Sequence, residues 1–373
     1  MDGGSDFGRI SLQEMSTRLC GSADLFATEP GRGAPASINF VSCHDGFTLT
    51  DLTRYRSKHN EANGENNNDG SSVNHSANFG VEGVTDDPDV IAAREQAAMN
   101  MIGMLLLSLG TPMMLAGDEF RNTQDGNNNA YCQDNDITWL KWDWMYSTNK
   151  TREMRRLETV SRLVALRKSL DLYHHEDFFT RLTQIGLLKP SSRVQWFLPD
   201  STTPMERDWF DLGVRSFTMR LLSNSEVDVC IVVNGTADDR TFRLPPDTHW
   251  TPKWCSAEIN GRRAGHGTQV EECDLNGDTT VWTQHVPDAS ETVLKMVEEV
   301  AMQRTESSTE NEADTIKFAM PVTDHAANGT SSAPRDEVSA DMPDAPVDDT
   351  PDTPVDDNVW IMPALSITLM KQV

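Results

Sequence analysis

A histidine and an aspartate near the start of the chain have the types and spacing of a polar binding site. His44 and Asp45 come directly after the apolar run 38–43, which predicts a buried strand. Such a strand delivers both polar side chains at its carboxyl end, which is the geometry of a binding or catalytic site. Hydrogen-bonded structural pairs of this kind are also common, so the pair alone leaves both interpretations open.

A second apolar run, 112–116, repeats the pattern and ends near Asp118 and Glu119. We expect these carboxylates to satisfy loop amides rather than to act as acids. Between the two runs lie a helix, predicted over 94–109, and a polar Asn-rich and Gly-rich stretch at 58–88 that is far longer than an ordinary connection. The order strand, loop, helix, strand predicts a parallel βα unit, whose polar residues cluster at the carboxyl ends of the strands.

The pattern changes beyond about residue 178. An amphipathic helix predicted over 151–170 is followed by short strand-like runs with turn signals between them. These runs lie at 194–198, 214–222, 227–233, 241–244 and 281–286. A last apolar segment, 360–370, offers one further strand that could close the module. The sequence therefore predicts an α/β region followed by an all-β region.

Composition narrows the classes of partner. The chain has 373 residues, of which 37% are hydrophobic, and a formal net charge of -26. Nucleic acids and anionic membrane surfaces need a basic patch, so neither is expected as a partner. Much of the charge lies in 301–357, which carries 14 Asp or Glu against 3 Lys or Arg and few large apolar residues. We expect an acidic disordered insertion there.

Cysteine usage and hydropathy favour a cytoplasmic protein. The six cysteines lie far apart without a CxxC pair, which predicts reduced thiols and no zinc site. The amino terminus has no basic region followed by an apolar stretch, so no signal peptide is expected. The longest apolar run, 101–117, is interrupted by Gly110, Thr111 and Pro112, and no transmembrane segment is predicted. No metal or cofactor is expected.

Five ordered motifs carry a family resemblance. They are INFVSCHDGFTLTDL at 38–52, KHNEANGENNNDG at 58–70, GVEGVTDDP at 80–88, GTPMMLAGDEF at 110–120 and GNNNAYCQDNDITW at 126–139. Together they closely resemble isoamylase and bacterial glycogen-debranching enzymes of the alpha-amylase clan of glycoside hydrolases. The resemblance covers roughly residues 18–300. Ala77, Phe79 and Arg121 depart from residues that are usual in this family.

The resemblance implies a fold. It predicts the carboxyl-terminal part of a (β/α)8 TIM barrel, about strands seven and eight, followed by an antiparallel β-sandwich. Residues 1–36 would then be a residual barrel segment and 37–175 the last βα units of a truncated catalytic domain. The sandwich would comprise 176–300 and 358–373, separated by the insertion at 301–357.

The resemblance also implies a reaction, the retaining hydrolysis of α-1,6-glucosidic branch linkages in glycogen or related α-glucans. Asp45 matches the clan's transition-state stabiliser, and His44 matches a residue that hydrogen-bonds the same sugar. A carboxylate and an imidazole placed there would bind the distorted, oxocarbenium-like ring better than the relaxed one. Lys58, His59, Asn60 and Asn63 match a segment beside the cleft and could bind sugar hydroxyls; alternatively, they belong to a capped, hydrogen-bonded Asx-rich loop.

Retaining glycosidases also need a nucleophile and a general acid, which the resemblance places after barrel strands four and five. The acidic residues before His44 are Asp2, Asp6, Glu14, Asp24 and Glu29. None of them ends an apolar strand-like run. We therefore expect this chain to lack both groups, as a gene fragment, a split-gene product or the result of a misassigned start.

Three functional interpretations follow from that expectation. The first is a debranching hydrolase completed by another chain that carries the missing barrel half. The second is a non-catalytic α-glucan-binding remnant. The third is an acidic interaction protein, which has only the charged run in its favour.

Overall fold

The computed structural model describes residues 10–27, 31–174, 178, 180–181, 192–223, 228–246, 249–266, 271–272, 359–363 and 366–372. These residues all belong to one compact unit. The predicted insertion at 301–357, the predicted strand at 281–286 and Cys273 lie outside the described residues. The other five cysteines are free thiols, as expected.

Two long helices dominate the first half of the described chain. The α-helices are α1 (Leu12–Leu19), α2 (Ala23–Phe26), α3 (Leu49–Leu52), α4 (Pro88–Leu107), α5 (Arg152–Ser169) and α6 (Glu206–Phe210). Single 3-10 turns lie at Ala34–Ala36, Glu61–Asn63, Asp118–Phe120, Ala130–Cys132, Asp143–Tyr146, Asp171–His174 and Ser256–Asn260. Helix α4 begins before the predicted Arg94 because Asp87 caps its free amides and Pro88 occupies its first position. Helix α5 matches its prediction and is capped by Thr151.

Helix α4 is long and apolar enough to cross a membrane by length and mean hydropathy, which is 1.2. Half of that stretch is buried inside the protein. Its Ala98, Met99 and Ile102 side chains belong to the main hydrophobic core. Core helices meet the same two criteria, so the finding does not identify a membrane span.

The strands of the described residues divide into two short pairs and two larger sheets. They are β1 (Ile38–Asn39), β2 (Thr111–Pro112), β3 (Thr180–Arg181), β4 (Ser192–Phe197), β5 (Ser216–Ser223), β6 (Val229–Asn234), β7 (Arg240–Arg243), β8 (Trp250–Cys255), β9 (Arg262–Arg263), β10 (Gly265–His266), β11 (Glu271–Glu272), β12 (Val359–Met362) and β13 (Ser366–Gln372). The larger sheets have the orders β3-β4-β5-β6-β13-β8 and β10-β12-β7.

The predicted parallel pairing of the first two apolar runs is confirmed. Strands β1 and β2 pair in parallel, with Ile38 opposite Thr111. The predicted length and burial are wrong: each strand has two residues, and Ile38 and Phe40 are 60% and 53% exposed. Within the described residues this sheet has only these two strands. The exposure of Ile38 and Phe40 shows that no other layer of the described structure fully covers their face.

The all-β module is a sandwich of the two larger sheets. In β6, Cys230 and Val232 face a core shared with Phe242, Trp360 and Met362 of the smaller sheet. The alternate residues of β6, Val229 and Ile231, belong to the main core together with residues of α4 and α5. Strand β6 is therefore buried on both faces, which accounts for its unbroken apolar sequence.

The last apolar segment supplies two strands rather than the predicted one. Pro363 lies between β12 and β13, and each strand joins a different sheet. Strand β13 pairs with β6 on one side and β8 on the other, while β12 lies between β10 and β7. The prediction that this segment completes the module is confirmed.

Candidate functional site

His44 and Asp45 lie side by side on an exposed turn just beyond β1. Their side chains are 87% and 78% exposed, and His44 Nε2 is 3.4 Å from Asp45 Oδ2. The turn continues through Gly46, whose φ of 89° is accessible to glycine at little cost. The structure therefore presents both groups to solvent, on a turn that follows β1 after four intervening residues.

A buried carboxylate holds both ends of this turn. Asp118, 2% exposed, accepts hydrogen bonds from the Ser42 hydroxyl and from the backbone N–H of Leu49, the latter at 2.9 Å. Burial raises the pKa of Asp118 to about 6, against the opposing effect of these two bonds. Glu119 accepts a bond from the Gly117 N–H. The prediction that the two carboxylates satisfy loop amides is confirmed.

The predicted sugar-binding residue Asn60 instead organises the loops. Its side chain is 0% exposed, donates to Asn128 Oδ1 at 2.9 Å and to Asp69 O at 3.0 Å, and accepts from the Asn128 N–H. A side chain with no exposed surface and with both polar atoms engaged cannot contact a sugar without rearrangement. The alternative interpretation, a hydrogen-bonded Asx loop, describes Asn60.

Lys58 and Asn63 are also engaged within the protein. The Lys58 ammonium donates to three backbone carbonyls, of Asn68, Asp69 and Gly70, at 3.3, 2.7 and 3.0 Å. The Asn63 amide donates to Asp69 Oδ2 and Asn129 O. Both side chains are half-buried, so part of each reaches the surface. In this structure both side chains hold the Asn-rich loop at 58–70 together through hydrogen bonds within the protein.

His59 belongs to the predicted set and keeps a partly open ring. Its side chain is 40% exposed, and Nε2 lies 3.2 Å from Glu82 Oε1. Burial would raise the pKa of Glu82, but hydrogen bonds from the Arg56 and Ser57 amides, Asn78 and His59 lower it to about 2. Glu82 is therefore a carboxylate at neutral pH and a fixed acceptor for the imidazole.

The second Asn-rich loop joins the two predicted segments. Gly46 donates its N–H to Asn128 O, and His59 donates its N–H to Gly126 O at 2.8 Å. Asn128 is 3% exposed and also donates to Ser71 O and Asn74 Oδ1. Sequence reasoning assigned no role to Asn127, Asn128 and Asn129. The sequence feature that could have indicated a structural role for them is the run of three consecutive asparagines within the motif at 126–139.

Close approach between the loops depends on glycine. A Cβ on Gly70 would lie 2.3 Å from Asn128 Oδ1, and one on Gly126 would lie 2.9 Å from the His59 ring. Both residues also have positive φ values, of 72° and 81°. Any larger residue at either position would separate the Asn-rich loops.

A buried ionic cluster beneath the loops was not predicted. Glu95 of α4 pairs with Arg121 at 2.7 Å and with Arg156 of α5 at 2.8 Å. Burial would raise the pKa of Glu95, but the two guanidinium groups lower it below its usual value. Arg156 also donates to Thr50 Oγ1 of α3. The cluster therefore joins three helices to the segment that carries Asp118.

The aromatic residues of 131–146 divide into packed and open groups. Trp142 and Trp144 pack against Phe120, with ring centroids 4.8 and 5.4 Å away. Trp139 is 55% exposed, and its indole N–H donates to Asp134. Of these three tryptophans, Trp139 is the most exposed, and its ring could stack on a sugar.

Within the described residues, no group of three or more His, Cys, Asp or Glu side chains could hold a metal ion.

Sequence relatives bear on the proposed resemblance. The chain is 44% identical over 210 residues to the "Glycogen operon protein GlgX homolog" of Mycobacterium tuberculosis, covering 56% of this chain and 28% of that protein. It is 37% identical over 270 residues to the "Glycogen debranching enzyme" of Pectobacterium atrosepticum, covering 72% and 38%. The resemblance to bacterial glycogen-debranching enzymes is confirmed. The chain spans about a third of the length of these relatives, and no family model matches it.

Solved structures of lower similarity include two glucan-active proteins. One is the catalytic module of the "glycogen-degrading pneumococcal virulence factor SpuA" in complex with an inhibitor, with a TM-score of 0.45, 11% identity, and coverage of 98% of this chain and 40% of that chain. Another is a pullulanase from an Anoxybacillus species complexed with maltotetraose, with a TM-score of 0.39, 18% identity, and coverage of 70% and 29%.

Proposed function

We propose that this chain supplies the transition-state-stabilising part of a glycoside hydrolase site that cleaves α-1,6-glucosidic branch linkages in glycogen or a related branched α-glucan. The exposed His44–Asp45 pair beyond β1 carries the proposal. Asp45 binds ring hydroxyls and stabilises the positive charge that develops on the sugar, while His44 hydrogen-bonds the same ring. The relatives named glycogen debranching enzyme support this substrate class.

Neighbouring groups suit a glucan. His59 and the exposed edge of Lys58 lie on the loop that bonds to the same Asn-rich segment as the His44–Asp45 turn. Trp139 offers an open aromatic face of the kind on which sugar rings stack. We assign His59, Lys58 and Asn63 to substrate contact at the rim of the site, and Asn60 to the support beneath it.

We propose that the nucleophile and the general acid are not in this sequence and come from other polypeptide. Between residues 10 and 43, the described carboxylates are Glu14 and Asp24. Glu14 is held in the capping box of α1 by Ser11, and Asp24 forms an ion pair with Arg18. Neither follows a strand, and retaining chemistry needs two carboxyl groups about 5–5.5 Å apart across the scissile bond.

The same observation favours a second candidate, a non-catalytic α-glucan-binding remnant. In that case Asp45 and His44 bind sugar without turnover. The TIM-barrel origin of β1 and β2, the supply of further barrel strands by a second chain and a cytoplasmic location remain proposals that accompany the first candidate.

Two measurements on the full chain separate the candidates. Retention on a glycogen-affinity gel tests binding, and release of linear chains from glycogen tests hydrolysis. We expect Asp45→Asn to lower retention at least several-fold, whereas Asp86→Asn, a change at another exposed aspartate, is the matched control and should leave retention unchanged. Equal retention of the wild-type chain and the Asp45→Asn variant would reject both candidates, and hydrolysis by the chain alone would reject an external source of the missing carboxyl groups.

A further inference from the structure

The segment 118–128 holds the His44–Asp45 turn at several points. Asp118 bonds to Ser42 on one side of the turn and to Leu49 on the other. Between these ends, the Gly46 N–H donates to Asn128 O at 2.9 Å, and Thr48 Oγ1 donates to Asn122 O at 3.1 Å. The backbone of the turn is therefore fixed from one neighbouring segment.

Asp118 is the strongest of these anchors. Its carboxylate is almost fully buried, so water does not replace a bond that is lost. One side chain also serves two separated points, the Ser42 hydroxyl and the Leu49 amide at the start of α3. Its neighbour Glu119, in contrast, bonds only within its own turn, to Gly117.

The exposure of His44 and Asp45 makes such anchoring necessary. Their side chains have little packing to hold them, so their position follows the backbone that carries them. Side chains that act on a transition state must be held within a fraction of an ångström, since reorganisation during the reaction costs rate.

We propose that Asp118 is a positioning residue for the glucan site, which closes the ends of the His44–Asp45 turn through Ser42 and Leu49. That Asp118 serves a glucan site rests on the proposed function, whereas its bonds to Ser42 and Leu49 do not depend on that function. Asp118 contacts no substrate. It acts through the two residues that it bonds.

An isosteric pair at Ser42 tests the inference. Thr and Val have nearly the same shape, but only Thr keeps a hydroxyl that can donate a hydrogen bond to Asp118. A difference between the Ser42→Thr and Ser42→Val variants therefore reports the contribution of that hydrogen bond. We expect the Gly46 amide, whose N–H bonds to Asn128 O, to exchange its hydrogen on the order of tenfold faster in Ser42→Val than in Ser42→Thr, measured in the full chain. Glu119→Gln, the matched carboxylate control, is expected to leave exchange of this turn unchanged.

Asp118→Asn provides a second route if Ser42→Val does not fold. The amide keeps the shape of Asp118 but has a single acceptor oxygen, so faster exchange is again expected at the amides of Gly46 and Leu49. Equal exchange in Ser42→Val and Ser42→Thr, or unchanged exchange in Asp118→Asn, would overturn the inference whatever the variants do on glycogen.

Retention on the glycogen gel separates the two proposals. If Ser42→Val exchanges faster and is retained less than Ser42→Thr, both are supported. If exchange differs as expected but Asp45→Asn does not lower retention, Asp118 still fixes the turn and the proposed function fails.

Discussion

The sandwich (192–272 and 359–372) and the polar loop region (42–83 and 117–135) are held together by different forces. The sandwich buries an apolar cluster between its two sheets and another against α4 and α5. The polar loop region is held by side chains that bond to backbone, such as Lys58 on three carbonyls and Asn60 on Asn128. Burial is non-directional, whereas hydrogen bonds fix position, so the second region is the one suited to placing reactive groups.

Backbone strain follows the same division. Among the described residues, most non-glycine residues with positive φ lie in the polar loop region, namely Asn66, Asn67, His75, Phe79, Arg121 and Asp125. Such conformations cost on the order of 1 kcal/mol each and persist where the surroundings determine them. The strained conformations of the polar loop region are therefore maintained by the stability of the hydrophobic core, to which α4 and α5 belong.

The largest effect is expected where the sandwich packs against α4 and α5, the two long helices of the main core. Trp254 of β8 is 0% exposed, lies close to Gly103 of α4 and donates its indole N–H to Thr159 O of α5. Trp254→Ala should lower the free energy of unfolding by about 3–5 kcal/mol, measured by urea denaturation. Trp139→Ala, an exposed control, should change it by less than about 0.5 kcal/mol. A small loss in Trp254→Ala would mean that the packing of the sandwich on α4 and α5 contributes little to stability.

A smaller effect, confined to the polar loop region, is expected from Asn60→Ala. The change removes the Asn60 partner of two buried groups of Asn128, its backbone N–H and its side-chain Oδ1, at a cost of about 1–3 kcal/mol. Hydrogen exchange should rise at Gly46 and at His59, whose amides bond to the same segment, with little change in the sandwich. Asn68→Ala, whose amide bonds to Glu65 O at the surface, is the control. Faster exchange throughout the sandwich would contradict the division drawn above.

The sandwich was largely predictable, because alternating or continuous apolar runs report burial directly. The prediction failed at Pro363, where one apolar segment divides between two sheets, since periodicity does not reveal which sheet a strand joins. It also failed at Ile38 and Phe40, since an apolar run predicts burial but cannot show whether another layer covers it.

In the polar loop region, the sequence identified the segments that come together but not the structural role of each side chain. The motifs located His44 and Asp45 beyond a strand, and the structure agrees. The sequence left Asn60 either as a sugar ligand or as part of a hydrogen-bonded loop, because its partner Asn128 lies 68 positions away and a local pattern cannot indicate such a pairing. The Glu95, Arg121 and Arg156 cluster was missed for the same reason, because it joins residues of three separate segments.

The smallest effect, and the most finely balanced, is expected at Arg121. This residue has a φ of 69°, which a glycine would adopt without strain, so Arg121→Gly should recover about 1 kcal/mol. The same change removes the buried Arg121–Glu95 pair, and breaking such a pair can cost about 3–5 kcal/mol. Arg156 still neutralises Glu95 through two bonds, so the loss should fall well below that figure.

The net expectation is a destabilisation of Arg121→Gly by about 1 kcal/mol in urea denaturation, the difference between the reduced loss and the recovered strain. Arg121→Lys keeps the strain and a charge but has a shorter reach, and Arg121→Asn tolerates the conformation without any charge. If the ion pair dominates, Lys should be the mildest change; if strain dominates, Gly and Asn should be stabilising. If Gly and Asn are stabilising, the backbone strain at Arg121 outweighs the stabilisation from its ion pair with Glu95.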